Sequence, residues 1–194
     1  YLGGIKESRK YGKVEWDTPD VAPGGDIIRL KSTCTKNIKN EICSKFDIID
    51  NIVIQIELWV LTDGYQICNQ IGFDVISPKT HTNNGGFYVL DNYVDGKWGS
   101  QDMFKKGLYI SELEIPGNLL NEGIYTIYIN TFLPPQDPDS SHQINQHNVL
   151  SFEIEDSFTP DSARGSFPYD WQRGDTGYLI RPNLRLKTSK VDQD

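Results

Sequence analysis

The chain has 194 residues, 37% of them hydrophobic, and a formal net charge of -8 at neutral pH. That supplies enough apolar material for one β domain with its own core, and one domain is the expectation. The acidic balance argues against a phosphate-backbone partner, which calls for clustered Lys and Arg, so nucleic acid is set aside. No apolar run reaches membrane-spanning length and no signal pattern opens the sequence, so neither an anchor nor a secretion signal is read. Because the chain starts at Tyr1 rather than Met, a preceding segment is expected. Cys34, Cys43 and Cys68 are an odd three without metal-ligand spacing and read as reduced, buried thiols of a cytosolic protein.

Residues 1–25 mix Gly, Lys, Glu and Pro without sustained periodicity and end in Ala22-Pro23-Gly24-Gly25, the pattern of an inter-domain arm. Trp16 in that arm reads as a packing anchor. The first strand spans residues 26–35, with Ile28 and Leu30 on one side and Ile27, Arg29 and Lys31 on the other. A short edge strand is expected at 46–49. From residue 52, Ile54, Ile56, Leu58 and Val60 alternate with Gln55, Glu57 and Trp59, the mark of a central strand half buried in a sheet. Thr62-Asp63-Gly64 reads as a hairpin turn. Residues 65–77 then run back, with Ile67, Ile71, Phe73 and Val75 inward and Gln66, Gln70, Gly72 and Asp74 outward.

A polar loop at 78–86, a short strand at 87–90 and an aromatic-bearing loop at 91–106 follow. Residues 107–132 then read as two antiparallel strands joined through Pro116-Gly117-Asn118, which cannot continue a ladder. Leu119 and Leu120 are expected to dip into the core. In the second strand Tyr125, Ile127 and Ile129 share one face, and Thr126, Tyr128, Asn130 and Phe132 the other. Residues 133–147 look too polar and proline-rich for regular structure, and 149–155 forms a closing strand with Leu150, Phe152 and Ile154 inward. About eight strands and no helical period predict an all-β fold, an antiparallel β-sandwich with immunoglobulin-like or jelly-roll connections. The sandwich is assigned to 26–156, the arm to 1–25, and an extended tail with one further strand near 178–186 to 157–194.

If the strands at 52–61, 65–77, 123–132 and 149–155 share one sheet, their outward residues form one wall: Gln55, Glu57, Trp59, Gln70, Asp74, Tyr128, Asn130, Phe132 and Ser151. Amides and carboxylates pair with sugar hydroxyls while rings stack on the C–H faces of pyranoses, so this wall suits a saccharide. The alternative is a solvated face of ordinary cross-strand pairs. Glu57 and Asp74 as a glycosidase pair would need burial and a raised pKa that nothing in the pattern signals. His142 and His147 lack metal-site spacing, and no loop has the ligand pattern of a calcium site. Neither a nucleophile elbow around Ser162 nor a phosphate-binding loop occurs. No catalytic residue, metal or cofactor is therefore expected.

Several stretches resemble the C-terminal domain of the ATP-binding subunit of ABC transporters that export O-antigen and related polysaccharides, the Wzt-type domain. They are Trp16 with Ala22-Pro23-Gly24 and Ile28-Arg29-Leu30, the run IPGNLLNEGIY from Ile115 to Tyr125, LSFEI from Leu150 to Ile154, Ala163-Arg164-Gly165, and Arg181-Pro182. The resemblance implies a β-sandwich that binds the finished polysaccharide and delivers it to the membrane subunit of the transporter. It also implies a cytoplasmic place at the inner membrane within the full-length protein, and a homodimer that exchanges a terminal strand. The ATPase domain of the family has no counterpart in these residues, and the tail departs from the family in ending on KTSKVDQD. A module that only dimerises or docks on the transporter is the alternative.

Overall fold

The computed structural model describes residues 12–76, 83–90, 103–134, 141–157 and 186–190. These are nearly all strand: β1 (Lys13–Glu15), β2 (Ile28–Lys36), β3 (Lys45–Asp47), β4 (Ile52–Val60), β5 (Cys68–Ile76), β6 (Asn83–Leu90), β7 (Gly107–Ile115), β8 (Gly123–Phe132), β9 (His142–Glu155) and β10 (Leu186–Lys190). They form two five-stranded sheets, ordered β1-β2-β4-β7-β10 and β3-β9-β8-β5-β6. The all-β sandwich expected from the alternation is what the chain builds, and every pairing is antiparallel except β3 with β9.

Alternation sets the core. Ile54, Ile56, Leu58 and Val60 of β4 face Ile71, Phe73 and Val75 of β5 and Tyr125, Ile127 and Ile129 of β8, all in one buried cluster. Such strands bury one face because successive side chains point to opposite sides of the pleat. Phe152 centres the aromatic part, stacked on Tyr125 at 5.3 Å and edge-on to Phe46 and Phe73 at 6.0 and 6.2 Å. Tyr125, near the start of β8, donates its hydroxyl to Asn121 O at 2.8 Å. That is the tyrosine corner of immunoglobulin-like sandwiches at the start of strand F. With β8 as F, strands β5 and β9 take the places of C and G, and β4 that of B.

The assignment of β4 corrects two expectations. The turn at 62–64, where Gly64 adopts φ +89°, is not a hairpin, since β4 lies in one sheet and β5 in the other. The link between β7 and β8 likewise crosses the sandwich. It is held where Gly117 N donates to Asn51 Oδ1 (2.8 Å), Asn118 N donates to Ile48 O (2.6 Å) and Asn118 sits at φ +62°. Leu120 is buried beyond this turn and Leu119 packs on the core.

Four boundaries also differ, the first being β6, which starts at Asn83 within the stretch read as a polar loop. β9 begins at His142, inside the stretch read as irregular, because Ile144 reaches the core there while the polar residues around it stay outside. Lys13–Glu15 pairs with β2 and Trp16 packs against the core, so this end of the arm belongs to the sandwich. The C-terminal strand is Leu186–Lys190 along β7. The strand expected from residue 178, the loop at 91–102 and the segments with Ala163-Arg164-Gly165 and Arg181-Pro182 lie outside the described residues.

A polar bridge crosses the core near one end. Asn69 of β5 donates through Nδ2 to Ser111 Oγ of β7 (3.2 Å) and accepts from Thr131 of β8 (3.0 Å), while Ser111 shares a hydrogen bond with Thr188 of β10. Asn69, Ser111 and Thr131 are fully buried, and each needs the others because an unsatisfied buried polar group costs about 1–3 kcal/mol.

Candidate functional site

Seven of the eight singled-out residues divide between two surfaces. Gln70 and Asp74 on β5 and Tyr128 and Asn130 on β8 lie on the outer face of the second sheet, in adjoining register: Gln70 opposite Asn130, Gly72 opposite Tyr128, Asp74 opposite Thr126. Gln55, Glu57 and Trp59 belong to β4, and so to the outer face of the first sheet, with the core between. Their separation follows from β4 standing one place earlier in the strand order than the face argument assumed.

On the first sheet these side chains are already engaged. Lys31 is ion-paired to Glu57 and lies 3.6 Å from Glu15, which in turn pairs with Lys13 at 2.7 Å. The bond from Lys13 holds the Glu15 carboxyl below the usual carboxylate range, and raises the Lys13 ammonium. Gln55 is buried, accepting from the Cys34 thiol at 3.6 Å. Trp59 sits in register between Arg29 and Leu108. Glu57 and Asp74, on opposite outer faces, cannot act on one glycosidic bond, which needs two carboxyl groups within about 10 Å across the sugar.

The second sheet carries a more open arrangement. Tyr128 lies flat across Gly72, where a Cβ would meet the ring at 1.7 Å, and one ring face is thereby turned outward. His147 of β9 stacks against it, its ring 5.5 Å from that of Tyr128 at an interplanar angle of 29°. Beside it Asn130 Nδ2 donates to Gln70 Oε1 (2.8 Å), while Asn130 Oδ1 is shielded from solvent and has no hydrogen-bond partner among the described residues. On the other side Thr126 and Ser151 share a hydrogen bond of 3.3 Å. They border a shallow depression of about 260 Å³ that Asn148, Val149 and Leu150 complete at an irregularity of the β8–β9 register. Phe132 does not join the platform: it is 4% exposed and edge-on to His142 at 6.2 Å, so it stacks within the protein. A solved structure shares this fold. It is the crystal structure of the C-terminal domain of Wzt, matched with a TM-score of 0.52 over 69% of this chain and 77% of that chain, at 8% identity. At that identity the likeness establishes the Wzt-like fold alone. No family model matches the chain, and no curated protein does.

In this Wzt-like sandwich, sequence reading missed Asn145, opposite Asn130, and His147. Both lie in a stretch whose composition suggested a loop, and the signal available was the lone Ile144 between polar neighbours. Among the described residues no group of three His, Cys, Asp or Glu gathers that would hold a metal ion, and no helix is long and apolar enough to cross a membrane.

Proposed function

We propose that this chain is a non-catalytic carbohydrate-binding domain that recognises a bacterial O-antigen or related surface polysaccharide for export by an ABC transporter. The outer face of β5, β8 and β9 is its binding surface. The observation that carries the reading is the Tyr128 ring laid flat on Gly72 with the Gln70–Asn130 amide pair beside it. A pyranose lying on the ring buries its C–H face, and its hydroxyls reach the amides and Asp74. The fold shared with the C-terminal domain of Wzt and the residue runs that resemble its family support the same reading.

Within it, the membrane subunit of the transporter is the partner of the full-length protein, at the cytoplasmic side of the inner membrane, and two copies form a homodimer. β10 closes the edge of β7, and an equivalent strand from a second copy would fit the same register. The test is calorimetric titration of the chain with the polysaccharide of its own host. Tyr128→Ala and Gln70→Ala together are expected to weaken binding at least about tenfold, a loss of roughly 1.4 kcal/mol. Unchanged affinity in this double variant would remove the face from the account, and a tight dimer without any glycan affinity would favour a docking module.

A further inference from the structure

We propose, building on the carbohydrate reading, that this face selects neutral glycans and discriminates against those bearing carboxylate or phosphate groups. Four of the five strands in its sheet, β5, β6, β8 and β9, contain no Lys or Arg, whereas β5 and β9 contribute Asp74, Glu153 and Glu155. The cation of the fifth strand, Lys45, is held at the sheet edge by Glu153 (2.8 Å) and Glu155 (3.2 Å).

On the other sheet three basic groups are also occupied, and Lys36 and Lys190 stand on that sheet rather than on this face. Lys13 and Lys31 are paired with Glu15 and Glu57, and Arg29 donates to the carbonyl oxygens of Gly25 (2.8 Å) and Ala22 (3.0 Å). Anionic sugars are recognised by guanidinium forks, ammonium groups or clusters of free backbone N–H donors. Here the backbone donors of β5 and β8 are committed to the ladder, and the side chains around Tyr128 are amides, hydroxyls and the imidazole of His147.

Asp74 adds repulsion to the missing attraction. It stands between Thr126 on β8 and Gly86 on β6, and Gly86 has no side chain to cover it. A carboxylate on a sugar stacked at Tyr128, two residues along the partner strand, would lie within the Debye length of about 8 Å at physiological salt. The net charge of -8 acts in the same direction. Neutral hydroxyls, by contrast, donate to Asp74 and to Gln70 without cost in charge.

The test uses pairs of polymers with one backbone, such as dextran with carboxymethyl dextran and mannan with carboxymethyl mannan, in affinity electrophoresis and calorimetry near pH 8, where an ordinary imidazole is neutral. The expected result is retardation by at least one neutral polymer and binding of its carboxymethyl partner weaker by about tenfold or more. Asp74→Asn, checked for unchanged melting temperature, is expected to narrow that gap by about threefold, the gap being read against the same variant's own affinity for the neutral polymer. Equal or tighter binding of the carboxymethyl polymer overturns the inference and leaves the carbohydrate reading standing. A gap that Asp74→Asn does not narrow overturns the role given to Asp74. No retardation by any polymer, the host's own polysaccharide included, overturns both readings.

Discussion

Tyr128 lies across Gly72, its directly opposite residue on the neighbouring strand, so closely that a Cβ on Gly72 would stand 1.7 Å from the ring's Cζ. A glycine in a strand costs conformational entropy and leaves a gap. Here an aromatic ring from the next strand covers the gap, and the covering makes the ring parallel to the sheet.

Gly72→Ala therefore tests the platform without touching a polar group. The ring can shift, since its clashing atom belongs to the far end of a side chain rather than to backbone, so thermal unfolding should change by no more than about 1 kcal/mol. Polysaccharide affinity should fall about as far as in Tyr128→Ala, because the ring survives but no longer lies flat. Calorimetric titration beside a denaturation curve separates the two effects.

Glu57→Gln and Trp59→Ala should leave polysaccharide affinity unchanged, because β4 belongs to the opposite sheet. Glu57→Gln should still lower stability, by up to about 1 kcal/mol for a partly exposed ion pair. A loss of affinity in either variant would show that the first sheet, and not the second, meets the ligand.

Asn69→Ala should be costly although it removes no apolar group. It removes the partner of Thr131 and one of the two partners of Ser111, both fully buried, and the expected loss is about 1–3 kcal/mol in urea unfolding. Ser111→Ala in the Asn69→Ala background should then cost less than it does alone, since one of the two hydrogen bonds it loses is already gone.

Alkaline pH should destabilise the chain through Tyr125. Burial pushes this phenol well above its ordinary value of 10.0, so the folded state keeps a proton that the unfolded state releases. The contribution is fully present below the unfolded value and is lost as pH rises above about 10. Cys34, raised by burial from 9.0, adds a loss of the same sign that begins near pH 9. Tyr125→Phe should flatten the upper part of this limb, at a cost of about 0.5–1.5 kcal/mol at neutral pH for the bond to Asn121. Urea unfolding at stepped pH reads both.

Gly117→Ala should destabilise the crossing from β7 to β8, because the new Cβ would stand 2.1 Å from Ile49 O, a backbone atom that cannot turn aside. A loss of about 1–3 kcal/mol is expected, with a circular dichroism spectrum that remains that of a β protein.

Much of this was open to reading in the sequence. The inward sets of β2, β4, β5 and β8 were visible because alternation of Ile, Leu and Val with polar residues survives any choice of neighbour. Tyr128, Asn130, Gln70 and Asp74 were recognisable as outward for the same reason. Asn145 and His147 were not, because one buried Ile144 among amides and imidazoles is too weak a pattern to mark a strand. Phe132 was placed on the correct side of its strand, but the sequence carried no sign that it packs against His142.

By itself, then, the sequence determined that this is a strand-built molecule, where most strands run and which side of each strand is dry. Only the tertiary structure decided which strands share a sheet. Ladder hydrogen bonds are made by the backbone, which is the same at every residue, so Thr62-Asp63-Gly64 and Pro116-Gly117-Asn118 end a strand without stating whether the next one pairs with it or crosses the core. That choice put Glu57 and Trp59 on one surface and Asp74 and Tyr128 on the other.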